Sequence, residues 1–328
     1  MKHILIFAGI LASMISCSAL ENGEPGSGRS FALHLTITSD AATKGVSEED
    51  DVISRAGICL WNGDGRFLFS RDVEAGGEIL IDSLFPGTYS VSVLAGDFRF
   101  FDVSSLHDYR NLPITVEDAV SGAGLLMNGG VDIVLSNDDV SADIQVERYL
   151  SRLHLKEIVN DIGEAVLLKG AMLINVPAVW TVGAQDEPSG WLNLAGRVDG
   201  EVITLFTAQA ANLTYSDLGS TLLAPGESCK PGSLFYCFPN NVQDDAFGPQ
   251  AGFGKTRLVV VAQIGDVLTY YPATIAPSEG MLRNTSYDVS MKLHSYGSSD
   301  PNTFVPSGVL TIKVSPSEYD NVEYKEMI

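Results

Sequence analysis

The segment Phe31–Thr38 has a large apolar side chain at every second position, with Ala32, His34, Thr36 and Thr38 between them. A period of two is the pattern of a β-strand that buries one face and exposes the other. The pattern therefore predicts a strand whose core-facing side chains are Phe31, Leu33, Leu35 and Ile37.

Short alternating or apolar runs recur along the chain, separated by turn signals such as Asn62–Gly65 and Pro86–Gly87. No long segment has the period of an amphipathic helix, and we expect only a short helix near Ser104–Arg110. Turns about 8–12 residues apart favour an all-β fold of antiparallel sandwiches. The other strands predicted before residue 139 are Ile53–Trp61, Arg66–Ser70, Glu78–Ile81, Thr88–Ala95 and Val131–Leu135.

A polar break at Asn137–Asp139 predicts two tandem sandwich domains, residues 31–139 and 140–328. A chain of 328 residues is long enough for two cores. We expect Ala208–Lys230 to be a loop or a short helix. The strands predicted in the second domain are Ala142–Ile158, Ala165–Val176, Glu201–Thr207, Ser233–Phe238, Thr256–Gln263, Val267–Ile275, Tyr287–Leu293, Gly308–Val314 and Asn321–Ile328.

The N-terminal segment has the pattern of an export signal, with Lys2 followed by the apolar run Ile4–Ile15. Its end, Met-Ile-Ser-Cys, resembles a bacterial lipobox, in which a diacylglyceryl group alkylates the cysteine, here Cys17. We expect residues 1–16 to be the signal peptide and residues 17–30 to be a lipidated, flexible tether rich in Gly and Ser. The alternative is an ordinary signal peptide that happens to contain a cysteine.

The formal net charge of −21 and the sequence pI of about 4.4 restrict the partners of this chain. Such an acidic protein is repelled by nucleic-acid phosphates and by anionic membrane surfaces. We therefore expect no nucleic-acid partner, and we interpret the charge as a solvated surface that keeps an exported protein soluble.

Catalytic and metal-binding patterns are weak. The histidines have no metal-ligand spacing, no nucleophile elbow occurs, and only a glycosidase carboxylate pair stays open on sequence alone. Gly252–Thr256 looks like the end of a phosphate-binding loop, but Pro249 replaces a required glycine and a strand follows. Cys229 and Cys237 could close a short disulfide loop in an oxidising compartment, whereas Cys59 lies in a strand-like run and is expected to be buried. We predict no catalytic residue, no metal and no cofactor.

The segment after the first strand reads as an accessible connector. Residues 39–51 have no apolar periodicity, contain Lys44 as their one basic residue, and include an acidic run from Glu48 to Asp51. We therefore expect the first strand to be a removable element, attached through a segment that a protease could cut.

Two alternating segments near the C-terminus could replace such a strand in another molecule. Their apolar positions are Leu310, Ile312 and Val314 in the first segment and Val322, Tyr324 and Ile328 in the second. The alternative is that both segments complete the second sandwich of their own chain.

These features, in their order along the chain, resemble a fimbrillin of the Bacteroidales type V pilus. The resemblance covers most of residues 31–328 and includes the lipobox, the connector, the turn Trp61–Gly63 and the segment Arg148–Ile158, which is similar to the strand that opens the second domain in that family. The C-terminal third contributes Phe238–Asn240, Lys255–Val260, Tyr270–Pro272, Arg283–Tyr287, Gly297–Pro301 and Gly308–Val314.

The resemblance implies two transthyretin-like β-sandwiches and an outer-membrane lipoprotein precursor. In that family a trypsin-like protease cuts after the first strand, and the C-terminal strand of another subunit fills the groove. The cut site matches Lys44, although the family usually has Arg there; the runner-up is Arg55, which adjoins the next strand. The family's Trp near the C-terminus is replaced by Ser317–Tyr319, so both C-terminal segments stay candidates for the donor strand.

We therefore expect a structural subunit of a cell-surface fimbrium, assembled with other fimbrial subunits, and not an enzyme. One alternative is an uncleaved, lipid-anchored base or tip subunit. Another, from a different class, is a surface lipoprotein that binds glycans through exposed aromatic side chains, for which the candidates are Trp180, Trp191, Tyr270 and Tyr271.

Overall fold

The structure is a computed structural model that describes residues 30–39, 55–74, 78–96, 103–120, 124–183, 190–192, 213–242, 254–276, 280–301 and 303–318. Almost all regular structure in these ranges is β-strand, so the predicted all-β class is confirmed. No helix among the described residues is long and apolar enough to span a membrane.

The first sandwich contains one sheet of seven strands, in the order β3-β2-β5-β7-β8-β1-β4. β7 and β8 pair only at Met127–Arg148 and Asn128–Glu147, so the sheet divides there into two faces that enclose an apolar core. The elements of this half are β1 (Phe31–Ser39), β2 (Arg55–Asn62), β3 (Phe67–Glu74), β4 (Glu78–Leu84), β5 (Gly87–Ala95), α1 (Leu106–Arg110), β6 (Pro113–Thr115), α2 (Val116–Val120), β7 (Met127–Leu135) and β8 (Val140–Arg148).

The second sandwich packs the sheet β13-β10-β16-β17 against the sheet β14-β9-β18-β19, in which β15 also pairs with β9. Its strands are β9 (Ser151–Asn160), β10 (Val166–Ile174), β11 (Val176–Thr181), β12 (Gly190–Leu192), β13 (Tyr215–Leu223), β14 (Ser228–Cys229), β15 (Ser233–Cys237), β16 (Arg257–Ile264), β17 (Val267–Thr274), β18 (Thr285–Leu293) and β19 (Leu310–Glu318).

The prediction of one continuous strand over Ala142–Ile158 is wrong. The chain forms β8, bends at Tyr149–Leu150, and continues as β9. Both residues at the bend are large, apolar and buried in the core, so the sequence has no turn residue that marks the bend. Because β8 pairs with β1 and β7, the predicted boundary between residues 139 and 140 lies one strand before the passage to the second sandwich.

The prediction of a loop or short helix over Ala208–Lys230 is only partly correct: Leu213 and Thr214 are helical, but β13 and β14 form most of its described part. β13 pairs with β10 at the edge of its sheet. Gly219 and Ser220 both have positive φ, and the register shifts at this point, so the strand is irregular and its alternation is broken.

A third, small sheet joins the two sandwiches. β6 from the first half pairs with β11 from the second half, and β11 pairs with β12. Beside this sheet, a shared apolar cluster includes Trp61 and Tyr109 from the first half and Trp180 and Phe238 from the second. We call the region where β8 ends and β9 begins, together with this sheet, the junction.

Candidate functional site

β1 is a central strand and not an edge strand of its sheet. Leu33–Ser39 pair in parallel with Val140–Val146 of β8, and Phe31–Thr36 pair in antiparallel with β4. Both backbone edges of β1 are therefore hydrogen-bonded to neighbouring strands. We call the space between β4 and β8 that β1 occupies the β1 slot.

The apolar face of β1 fills the core of the first sandwich. Leu33 and Leu35 are 0% exposed, Phe31 is buried, and Ile37 is half-buried. The slot is lined by the side chains that flank β1 on the same face, namely Ile79 and Ile81 of β4 and Ile144 and Val146 of β8. Each fully buried side chain of this size contributes about 1.5–3 kcal/mol. An empty slot would expose this apolar surface and two rows of unpaired backbone groups to water.

A hydrogen bond joins the start of β1 to the loop before β8. The Ala32 backbone N–H donates a hydrogen bond of 2.7 Å to the Asp139 carboxylate. The sequence offered no signal for this contact, because the two residues are far apart along the chain and Asp139 reads as a turn residue.

The structure describes one of the two candidate cut sites, Arg55, but not the other. Lys44 lies outside the described residues. Arg55 is the first residue of β2, its side chain forms an ion pair with Asp72, and its carbonyl accepts a hydrogen bond of 2.9 Å from Gly96. A protease would have to detach the start of β2 before it could cut at Arg55.

The first C-terminal segment forms β19, an edge strand that pairs with β18 along its full length. Leu310 is buried, and Ile312 and Val314 are half-buried against the second core. The structure therefore places this segment in its own sandwich. Val322, Tyr324 and Ile328 lie outside the described residues.

Hydrogen bonds among polar side chains stabilise the start of β19. His294 Nδ1 lies 2.8 Å from the Asp161 carboxylate, and His294 Nε2 lies 2.8 Å from the Thr311 hydroxyl. Because an ionised carboxylate only accepts hydrogen bonds, Nδ1 donates to Asp161, and Nε2 forms the second hydrogen bond with the Thr311 hydroxyl. Hydrogen bonds from Lys292, at 3.0 Å, and from His294 lower the pKa of Asp161, so this carboxylate stays charged.

The structure contradicts the predicted disulfide between Cys229 and Cys237. Both thiols are free, and the cysteines lie opposite Ile158 and Ser151 of β9. Seven residues of strand separate these positions by about 23 Å, far more than a disulfide spans. Cys237 packs its sulfur 3.8 Å from that of Met281.

The four aromatic side chains proposed for glycan binding do not form an exposed platform. Trp180, Trp191 and Tyr271 are buried, and Tyr270 is half-buried. Trp180 stacks on Phe238 in the junction, with ring centroids 6.0 Å apart. These aromatic side chains stabilise the core instead.

The fold is shared with solved structures of Bacteroidales proteins. A candidate cell adhesion protein from Bacteroides eggerthii has a TM-score of 0.62 at 14% identity, over 88% of this chain and 96% of that one. A second candidate cell adhesion protein, from Parabacteroides distasonis, has a TM-score of 0.62 at 14% identity, over 90% and 99% of the two chains. A fimbrilin from Porphyromonas gingivalis has a TM-score of 0.61 at 13% identity, over 87% and 96%.

No family model and no curated protein sequence matches this chain. The structural matches span nearly the whole length of the proteins concerned, so the likeness includes both sandwiches. The resemblance to fimbrillins, predicted from the order of weak motifs, is thereby confirmed at the level of the fold.

Proposed function

We propose that this protein is a structural subunit of a cell-surface fimbrium that assembles by donor-strand exchange. The central position of β1 is the observation that carries the proposal. Removal of a central strand leaves a slot that only another strand can fill with both backbone hydrogen bonds and apolar side chains. The fold shared with a fimbrilin and with candidate adhesion proteins supports the same function.

The proposed maturation follows from the order of the segments. The precursor is exported, lipidated at Cys17 and held at the outer membrane by its acyl chains. A trypsin-like protease then cuts at Lys44, and β1 leaves with the tether. Because the contact that fills the slot is head-to-tail and does not close on itself, repeated contacts build a filament at the cell surface.

The direction of β19 bears on which C-terminal segment is the donor. β19 starts at Leu310, at the end of the sandwich far from the junction, and runs back towards the junction. Residues 319–328 follow the end of β19 that lies at the junction, and they span at most about 33–36 Å. To reach the far end of the sandwich, they would use about 26 Å of this length in running back along β19. The tail alone is therefore too short to fill a slot beyond the far end of the sandwich.

A donor that includes β19 removes this difficulty. Once β19 detaches from β18, the chain from Val309 to Ile328 spans about 63–68 Å, enough to bridge two subunits and occupy a slot about 26 Å long. Such a donor, reaching the slot from the end at which β1 starts, runs in the direction of β1 and parallel to β8. We therefore propose the whole segment Leu310–Ile328 as the donor.

N-terminal sequencing of the mature surface protein tests the cleavage. We expect a start at Gly45 and a block of maturation in Lys44→Ala, whereas the control Arg55→Ala matures normally. A lipidated Cys17 as the sole mature terminus would overturn cleavage and would favour the alternative of an anchored base or tip subunit.

Trypsin treatment of the purified precursor tests strand exchange. We expect a ladder of oligomers that dissociates on heating. Ile144→Asp puts a charge into the lining of the slot and should leave monomers, whereas Asp143→Asn, one residue away on the outer face, should assemble normally. Filaments formed by a chain without Gly308–Ile328 would refute this segment as the donor.

A further inference from the structure

A strand that replaces β1 must match the side-chain environments of the β1 slot. On the inner face, the positions of Phe31, Leu33 and Leu35 are buried. On the outer face, Thr36 is exposed and lies opposite Asp143 of β8. A shift of one residue would turn the other face of a strand inwards, so the candidate registers of a donor differ by steps of two residues.

The first half of β19 fits the inner face of the slot in one register. Its apolar side chains then take apolar positions of β1, with Leu310 at Leu33, Ile312 at Leu35 and Val314 at Ile37. The two fully buried positions receive side chains of leucine volume, and exchanges that conserve volume are well tolerated in a core. The next register in one direction would put Gly308 at the first of these positions and leave a cavity.

The charge of Lys313 selects the same register. Lys313 is exposed in β19, and in this register it takes the outer position of Thr36, opposite Asp143. The two neighbouring registers would place Lys313 opposite Ser141 or Gln145, which carry no charge. An exposed ion pair changes affinity by about fivefold or less, so this pair selects the register but does not itself hold a filament together. Asp143→Asn therefore still assembles.

The backbone of Pro316 defines where the inserted segment ends. The Ala32 N–H points to Asp139, which precedes β8, so the N–H groups of β1 point alternately to β8 and to β4. In this register Pro316 takes the position of Ser39, whose N–H faces β4 beyond the last pair of β1 and β4 among the described residues. Proline has no N–H to donate, and it is accepted there although the interior of a central strand excludes it.

The second C-terminal segment matches the slot less well, by its sequence. Its apolar side chains share one face with Asp320 and Glu326. Every register that places two or more of Val322, Tyr324 and Ile328 on the inner face also places a carboxylate there. An unpaired carboxylate is costly to bury, and the apolar positions of β19 carry no such cost.

The exchange gives the first half of β19 more backbone hydrogen bonds than it loses. In its own sandwich β19 is an edge strand that pairs with β18 alone. In the slot the same residues lie between β4 and β8, as β1 does. Ser298 pairs with Tyr270, and the chain from Ser298 to Leu310 spans at most about 40–43 Å, which is enough to bridge adjoining subunits.

We propose that Leu310–Pro316 of one copy fills the slot of the next copy, in the register that places Lys313 opposite Asp143. This inference rests on donor-strand exchange as the function, and it adds which part of the donor enters the slot and how that part is aligned. The rest of the donor, residues 317–328, continues past the slot.

Synthetic peptides added to the full-length precursor before trypsin test which segment enters the slot. A large excess of the Gly308–Pro316 peptide should occupy the slots and shorten the ladder of oligomers, whereas the same peptide with Ile312→Asp should not. A ladder that the Ser317–Ile328 peptide shortens would overturn the assignment and leave strand exchange intact. A ladder that neither peptide shortens would count against both.

Cysteine cross-linking tests the register, in chains that carry Cys229→Ser to remove the half-buried thiol. Lys313→Cys and Asp143→Cys lie opposite each other on adjacent strands, about 4.8 Å apart, which a disulfide spans. After trypsin and mild oxidation they should join neighbouring subunits, whereas the uncleaved precursor, in which β1 fills the slot, should stay unlinked. Ser315→Cys with Asp143→Cys, about 7 Å out of register, should link at least about tenfold more slowly.

The same experiment separates failure of the register from failure of the function. Links that form with Lys325→Cys in place of Lys313→Cys would assign the slot to the second C-terminal segment and overturn this inference, while strand exchange would stand. Absence of any oligomer after clean cleavage of the wild-type protein would overturn strand exchange itself.

Charge reversal tests the role of Lys313. Asp143→Lys should slow assembly by about fivefold, and Lys313→Asp in the same chain should restore the wild-type rate. A loss that the second change does not restore would contradict the pairing of these two positions.

Discussion

At the scale of single residues, the burial of the three cysteines in the described part of the chain predicts how their thiols react with an alkylating reagent. Burial raises the pKa of the Cys59 and Cys237 thiols to about 12, and Cys229 is half-buried. Neither buried thiol should react with iodoacetamide in the folded protein at about pH 8.5, whereas all three should react in urea. Mass spectrometry counts the labelled thiols. If only one of the three were labelled in urea without reductant, the predicted disulfide between Cys229 and Cys237 would be supported after all.

The same two thiols make stability depend on pH. In the unfolded chain they ionise near pH 8.5, while in the folded protein they hold their protons up to about pH 12. The unfolded state therefore releases protons first, and the free energy of unfolding should fall as the pH rises above about 9. Urea titrations at increasing pH measure this fall, which Cys59→Ala with Cys237→Ala should reduce.

Arg283 is a single side chain that holds the two sandwiches together. Its guanidinium donates to the carbonyls of Arg148 at 3.1 Å and Glu147 at 2.9 Å, and it lies 5.2 Å from the centroid of the Tyr149 ring. Arg283→Ala leaves these carbonyls without their donor, so we expect a loss of about 2–4 kcal/mol in the free energy of unfolding. Arg66→Ala, an exposed arginine, is the control, and equal losses in both variants would contradict this role.

At the scale of the element, the proposed maturation requires β1 in the precursor but not after assembly. Leu35→Glu places a charge at a fully buried position and should destabilise the precursor by about 3–5 kcal/mol, whereas Thr36→Glu on the exposed face should change little. Because the proposed cleavage removes β1, trypsin-treated Leu35→Glu should still form oligomers at the wild-type yield if it is cleaved while folded. A lasting assembly defect after clean removal of β1 would contradict the proposal that assembly does not need this strand.

The sequence predicts individual strands better than their partners in space. Alternation identified β1 and β5 because each buries one face and follows a regular ladder. It missed β13, whose bulge at Gly219 breaks the period, and it joined β8 to β9 because the bend between them is apolar. Alternation also carries no information about neighbours, so the central position of β1 required the structure.

At the scale of the whole molecule, the junction makes the two sandwiches a single unfolding unit. Ile114 of β6 is fully buried and pairs with Trp180 of β11, so an element from each half contributes to one small sheet and one apolar cluster. We expect tryptophan fluorescence and far-ultraviolet circular dichroism to report one coincident urea transition.

Ile114→Asp should break this coupling, because it buries an unpaired charge between the halves and leaves the core of each sandwich unchanged. We expect the single transition to separate into two, while Tyr215→Ala, an exposed change in the second sandwich, preserves it. A subunit that transmits force along a filament requires such coupling, since a junction that opens first would extend under load. Two transitions in the wild-type protein would contradict this coupling and, in the proposed filament, would place the weak point inside each subunit and not between subunits.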